Sequence, residues 1–423
     1  MISPKTKRQL EQVDWDFPEN LPGTSKTIHW YPGTFPADIP TTILQALTKP
    51  GDVVFDPYGG TGTSGLEAIR QARRAILAEA NPIGCLAAYV AGSALLLKAI
   101  RPELPKLACE QVRQIVERLE NKQKIQLSLD TDSDASWSID DWLDKLAAPN
   151  PSTFLSFFER PMGIGPLAEW IEKATLCDVK NLLRAFSDPK LSAYVRLLGK
   201  AMVSAILRPA SSQTQSWGHI ADNVWPKEFV RKEPFRLALQ WLSRFETIID
   251  RTSVAPLPRT EPDVRLWVSL HNWGHASSGI AAPKGNAQLL VTSPPYAGAI
   301  DYTLAHRLSF YAFGFDEKDL GVLWRSEFGA RRKRNLPHSL EMWAEELAMA
   351  LEVQLGYMNG HSFAAFVLPH KDEGRDLGTQ IMEDCLLSLG WAKVVEVDRS
   401  IRQVRARQSW TSIKRETIHI FGK

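Results

Sequence analysis

The stretch Asp52-Val53-Val54-Phe55-Asp56-Pro57-Tyr58-Gly59-Gly60-Thr61-Gly62-Thr63 constrains the fold of this chain more than any other. A short β-branched and aromatic run ends in an acid and a glycine-rich turn, and Ser64 to Arg73 then has helical spacing, with Leu66 and Ile69 on the packed side. A strand that hands over to a helix through such a turn opens a doubly wound, mostly parallel sheet, and it leaves backbone N–H groups where a ligand can approach. The flanks agree. Residues 41–49 read as a helix closed by Pro50-Gly51, and Arg74 to Ala78 reads as a second strand ending in Glu79-Ala80-Asn81-Pro82. Asn81 suits an N-cap and Pro82 a first helical position, so the apolar run to Leu97 is expected to be a buried helix.

A second tip lies far along the chain. Gln288-Leu289-Leu290-Val291 reads as a buried strand, and Thr292-Ser293-Pro294-Pro295-Tyr296 follows it. A planar, amine-bearing substrate suits this tip: the Ser293 hydroxyl and the Pro294 carbonyl can accept its N–H groups while Tyr296 stacks on its face. A strand-glycine-helix motif taken alone would serve a nicotinamide or another nucleotide equally well, and Pro-Pro taken alone is a rigid turn.

Taken together, the two segments resemble the S-adenosylmethionine-dependent amino-methyltransferases, which methylate the exocyclic amine of cytosine or adenine in DNA. The likeness covers roughly residues 28 to 98 and 286 to 423. It implies a Rossmann-like methyltransferase sheet, mostly parallel with one antiparallel strand near the C-terminus, and S-adenosylmethionine as the cofactor. Its cofactor motif corresponds to Asp56, Pro57, Tyr58, Gly59, Gly60, Thr61, Gly62 and Thr63, with Glu79 and Asn81 at the tip of the next strand and Tyr31, Phe35 and Pro36 closing from the other side. Its catalytic motif corresponds to Ser293, Pro294, Pro295 and Tyr296. The serine form after a threonine is more typical of N4-cytosine enzymes, and the aspartate form of N6-adenine enzymes. The resemblance further implies double-stranded DNA as partner, a flipped-out target base, and a restriction-modification or defence setting. Where the family tends to place an acid for the cofactor adenine, this chain reads Ser269-Leu270-His271-Asn272-Trp273, which leaves His271 or Asn272 as the substitute.

Three regions are expected: residues 1–98 as the cofactor-binding half of the sheet, 99–262 as a mostly helical insertion for target recognition, and 263–423 as the catalytic half. Ala108, Val112, Ile115 and Leu119 mark one helical face, and similar patterns recur in 166–186 and 191–207. Beyond Tyr296, helices are expected over 304–313 and 338–357, and strands around 362–368, 393–397 and 417–421. The formal net charge is only +2, so a nucleic-acid surface must be a local patch. Arg331, Arg332, Lys333 and Arg334 form the densest one, and Arg402, Arg405 and Arg407 contribute to a second. In the insertion, Trp217 stands among polar side chains suited to reading bases.

Cys85, Cys109, Cys177 and Cys385 are scattered, without metal spacing or a disulfide framework, so no metal site is expected. None follows a proline in a catalytic-looking loop, which speaks against C5-cytosine methylation with its cysteine nucleophile. The first twenty residues have no signal-like apolar core, and the run Cys85 to Leu97 is short for a bilayer, so a cytoplasmic protein is expected.

Overall fold

The computed structural model describes residues 2–18, 28–121, 137–160, 164–213, 225–257, 263–275, 279–298, 300–370, 376–401 and 414–423. Within them lie strands β1 (Val53–Asp56), β2 (Arg74–Glu79), β3 (Ala147–Ala148), β4 (Leu266–Leu270), β5 (Ala287–Thr292), β6 (Met358–Pro369), β7 (Ala392–Ser400) and β8 (Arg415–Gly422). They form one sheet in the order β3-β4-β2-β1-β5-β6-β8-β7. The pairs from β3 through β6 are parallel, and β8 runs antiparallel to both β6 and β7. This is the methyltransferase-type sheet expected from the sequence, including the reversed strand.

β1 is central and buried on both faces, which is why it reads as a continuous apolar run instead of an alternating one. Its neighbouring side chains part to opposite sides. Val54 joins a cluster with Leu77, Leu289 and Val291, while Phe55 joins Ile76, Leu290 and Phe366. The helices Asp38–Leu47, Thr63–Arg70 and Pro82–Ile100 cover the first face, and Ser339–Leu355 contributes Ala344, Leu347 and Leu351 to the second.

Every residue of the helix Pro82–Ile100 except Lys98 is buried. By length and composition it could cross a membrane, a correction to the shorter run expected from the sequence, but it is enclosed by protein. The Asn81 side chain caps it by accepting from the Ile83 N–H at 2.9 Å, with Pro82 in the first turn. Lys98 reaches out to the end of the helix Pro234–Arg251, where Nζ donates to the carbonyls of Ile249, Asp250 and Thr252 at 2.7, 2.9 and 2.9 Å. The last carbonyls of a helix lack the donors of a following turn and carry the negative end of its dipole, so a cation is well placed there.

The region between β2 and β4 is mostly helical, as expected: Glu103–Glu120, Lys173–Ala185, Ala193–Ala210 and Pro234–Arg251 are its long helices. Their apolar faces share one cluster with Pro82–Ile100 and the sheet. The inserted helices therefore extend the core of the sheet and fix its edge, which brings their loops to the strand tips.

Candidate active site

β1 and β5 are adjacent and parallel, so the two sequence motifs leave the sheet at the same edge. Asp56 joins them directly. Its Oδ1 accepts from Thr292 Oγ1 at 2.6 Å and from the Tyr58 N–H at 3.1 Å, and its Oδ2 accepts from Ser64 Oγ at 2.6 Å. Above this link lies a cavity of about 500 Å³, walled by Asp56, Tyr58, Gly59, Gly60, Thr61 and Thr63 from one tip and by Ser293 and Pro295 from the other.

The glycine turn depends on having no side chains. Gly60 and Gly62 hold φ of +52° and +89°, in the left-handed region. A Cβ at Gly62 would also meet Ala88 Cβ at 2.9 Å, beneath the turn. A third glycine was missed by sequence reasoning: at Gly84 a Cβ would lie 2.9 Å from the Gly60 carbonyl oxygen, so this residue lets the buried helix reach the turn. Its place one turn after the Asn81 cap was the available signal.

Of the other cofactor candidates, Glu79, Asn81, Tyr31 and Phe35 line the cavity, while Pro36, Pro57 and Gly62 do not. Glu79 accepts from the Gly60 and Asn81 N–H groups, each at 2.8 Å. Tyr31 covers Gly60 and stacks against Tyr302 and His306, with centroids 5.3 and 5.1 Å apart. The Pro57 carbonyl accepts from Trp273 Nε1 at 2.6 Å.

The tip of β4 separates the two candidates for adenine recognition. Asn272 is committed to its own loop, accepting from the Gly274 N–H at 3.0 Å and donating to the Ser326 carbonyl at 2.6 Å. His271 lines the cavity and its Nε2 is buried without a hydrogen-bond partner. Tyr58 and Phe328 stack nearby at 5.9 Å, and Phe328, Phe157 and Phe315 were not legible as site residues because they belong to three separate loops.

The cavity is acidic. Burial raises the Asp56 carboxyl to about 6 against its three hydrogen bonds. Burial raises Glu79 as well. Glu327, a residue with no sequence signal, is raised to about 7 by burial; it accepts from the N–H groups of Tyr302 and Thr303. Among the described residues the guanidinium lining the cavity is that of Arg160, which is paired with Asp319 at 3.1 Å and lies 4.3 Å over the Phe315 ring.

On the β5 tip, Ser293 Oγ donates to Tyr296 Oη at 3.1 Å, and Tyr296 donates to Glu416 Oε1 at 2.8 Å. Tyr296 thus turns its hydroxyl toward β8 and is not among the residues that wall the cavity; nor is Pro294, which is buried. The Pro295 carbonyl accepts from Trp343 Nε1 at 3.0 Å. His306 is buried, its ring pushed down to about 3 by burial, and its Nε2 faces the Trp30 carbonyl at 3.2 Å while Nδ1 meets Asn81 Nδ2 at 2.9 Å. A neutral ring protonated on Nε2 donates to the Trp30 carbonyl and accepts from the Asn81 amide, with the Tyr302 carbonyl 3.1 Å from the same Nδ1, so His306 is a strut between segments.

Asp301 ties the basic turn to the catalytic tip: its Oδ1 accepts from the backbone N–H and Nε of Arg332, both at 3.2 Å, while that guanidinium lies 4.3 Å over Trp324. Arg331 and Lys333 belong to the same short helix, Arg331–Asn335, as does the backbone of Arg334. The Arg334 side chain, Trp217, Arg402, Arg405 and Arg407 lie outside the described residues. Elsewhere Glu383, Glu396 and His419 bring ligand atoms within 4.8 Å of one another. Lys393 Nζ occupies that space, 2.5 Å from Glu383 and 2.6 Å from Glu396, so the cluster reads as an ion-pair network.

Comparison with known proteins gives three findings. The DNA methylase family of N6/N4 type matches residues 2–89. The Type II methyltransferase M.PvuII of Proteus hauseri is 42% identical over 64 residues, 15% of this chain and 18% of that protein, so the match spans about a fifth of the relative's length. Among solved structures, the rRNA methyltransferase aviRa from Streptomyces viridochromogenes is 10% identical over 93% of this chain and 89% of its own, with a TM-score of 0.28, too low to carry an argument. The segment matched by the family holds the whole glycine turn and Glu79, so the likeness to the N6/N4 DNA methylases lies at the β1 and β2 tips.

Proposed function

We propose that the chain transfers a methyl group from S-adenosylmethionine to the exocyclic amine of a base in double-stranded DNA, N4 of cytosine in preference to N6 of adenine. The observation that carries this reading is the shared cavity: a glycine cradle and a hydroxyl-bearing Ser-Pro-Pro-Tyr tip meet over Asp56. The lining fits the donor. Three carboxyls, of which Asp56 and Glu327 are buried and Glu79 half-buried, suit a small cation, the aromatic rings suit a purine, and the unpartnered His271 Nε2 offers a ring nitrogen to it. When bound, S-adenosylmethionine supplies a methyl group on a positively charged sulfur.

The chain's own part is positioning. The lone pair of a base amine is delocalised into its ring, and hydrogen bonds from its N–H groups to Ser293 Oγ and a neighbouring carbonyl draw it out of plane toward the methyl. No covalent bond to the protein is needed. The amine lies inside the duplex, so the base must be extruded, and the Arg331–Lys333 turn beside the tip is the proposed phosphate contact. Reading of the target sequence is assigned to the helical insertion and its Trp217 segment. A cytoplasmic restriction-modification or defence setting goes with this substrate.

Incubating the full chain with tritiated donor and unmethylated genomic DNA, followed by nucleoside mass spectrometry, tests the reading. N4-methylcytosine is the expected product. N6-methyladenine would move the base preference, and label in RNA alone would overturn the DNA assignment.

Donor affinity is expected to depend on pH. Carboxyls raised above their unfolded values stabilise the empty protein at low pH, and that contribution is lost as pH rises through the folded values of about 6 for Asp56 and 7 for Glu327. A bound cation favours the ionised forms, so affinity should rise about tenfold from pH 5.5 to 8, with protons released on binding below pH 7. Calorimetry in buffers of different ionisation enthalpy measures both.

A further inference from the structure

Ser293 is an uncharged side chain at the point where an amine must shed a proton. Its hydroxyl is the first member of a chain of hydrogen bonds. Ser293 Oγ donates to Tyr296 Oη at 3.1 Å, and Tyr296 Oη donates to Glu416 Oε1 at 2.8 Å, a charge-assisted bond shorter than the 3.3 Å alternative to the Val367 carbonyl. Arg399 Nη1 donates to Glu416 Oε2 at 2.8 Å. Glu416 and Arg399 are opposite one another on β8 and β7, and both are buried, at 8% and 6% exposure. The chain therefore starts at the cavity wall and ends on a carboxylate shielded from solvent.

The direction of these bonds matters. With its hydrogen given to Tyr296, Ser293 Oγ presents lone pairs to the cavity and acts there as an acceptor. A ring at position 296 needed only for packing would have no use for the hydroxyl.

We propose, resting on the amine-methylation reading, that Ser293, Tyr296 and Glu416 form a proton relay in which Tyr296 and Glu416 are positioning residues that orient Ser293 and receive its proton. As the nitrogen–methyl bond forms, the carbon–sulfur bond breaks with its electron pair left on sulfur, and the amine carries a surplus proton. That proton passes to Ser293 Oγ while the Ser293 hydrogen passes to Tyr296 Oη and the Tyr296 hydrogen to Glu416 Oε1. Glu416 ends as the neutral acid, and the hydrogens return by the same route to water once the product has left. No further reactant is required. Burial raises the Glu416 carboxyl above its ordinary value despite the pull of Arg399, which favours its holding a proton.

The test uses the full chain, tritiated S-adenosylmethionine and unmethylated genomic DNA under single-turnover conditions, with donor affinity measured separately by calorimetry. Tyr296→Phe keeps the ring and its packing; Glu416→Gln keeps the shape. Each is expected to slow methyl transfer by about 10- to 100-fold. Donor affinity and the KM for DNA should stay within about twofold, and the double variant should be no slower than the slower single variant, as for residues acting as a unit. A Tyr296→Phe enzyme as fast as the parent would overturn the relay, as would independent, multiplying losses. A rate loss matched by lost donor affinity would also overturn it, because that pattern marks a structural role. If the parent chain itself methylates no nucleic acid, the functional reading fails first, whereas an active parent with an equally active Tyr296→Phe variant removes the relay alone.

Discussion

Replacing Ser293 with alanine is expected to slow methyl transfer by about 100- to 1,000-fold, the usual cost of removing a preorganised group that acts on developing charge. Donor affinity should remain within about twofold. Ser293 walls the cavity from the β5 tip and its recorded hydrogen bond goes to Tyr296, away from the glycine turn, so its loss leaves the turn undisturbed. The effect should exceed that of either relay partner, because alanine removes the acceptor that meets the amine while Tyr296→Phe leaves that acceptor in place and removes its orientation and onward proton path. Single-turnover rates and calorimetry separate the two quantities. Equal rates for the parent and the alanine variant would remove Ser293 from the mechanism.

Asp56→Ala is expected to lower both stability and donor affinity. The carboxylate receives Ser64 Oγ, Thr292 Oγ1 and the Tyr58 N–H, so its removal strands three donors and unties the β1 tip from the β5 tip. The lost hydrogen bonds cost more than is recovered by no longer burying a charge, and a net destabilisation of about 2 kcal/mol follows. Donor affinity should fall at least about tenfold, since one of three carboxyls facing a cation is gone and the turn is no longer braced. Denaturant melts and calorimetry check both. Asp56→Asn keeps one acceptor oxygen and should fall between. An alanine variant with unchanged donor affinity would show that the link between the tips is incidental to binding.

The parts of the site legible in the sequence were those whose signals are local. The run Asp52 to Thr63 held strand, turn and helix start within twelve positions, and Asn81-Pro82 marked the next helix by capping chemistry alone. Ser293 was legible because it follows the apolar run of a buried strand, within five positions that also hold two prolines and an aromatic ring. What escaped was set by contacts across the chain. Gly84 matters only because the Gly60 carbonyl comes to lie 2.9 Å from where its Cβ would be. Glu327 gains its meaning from the N–H groups of Tyr302 and Thr303, 25 and 24 residues earlier in the chain. Tyr296 illustrates the limit most clearly: its ring type suggested stacking on a base, whereas the position of Glu416, 120 residues later, decides where its hydroxyl points.

The fold shows the same division. Helical periodicity found the insertion: of the face Ala108, Val112, Ile115 and Leu119, the first three are buried and Leu119 is half-buried. The helix Glu317–Ser326 has only a faint local signal: Asp316 and Asp319 form a reciprocal capping box, but two aspartates are a weaker signature than the serine and glutamate form. β3, only Ala147–Ala148, is too short for any alternation to show.

A crystal structure of the full chain with S-adenosylhomocysteine, the demethylated donor, tests most directly whether the two strand tips form one reaction chamber. The expected result has the amino-acid half on the Gly59–Gly62 turn, the adenine beside His271, and the sulfur open toward Ser293. A ligand seated outside this cavity, or bound there with its sulfur turned away from Ser293, would contradict the account.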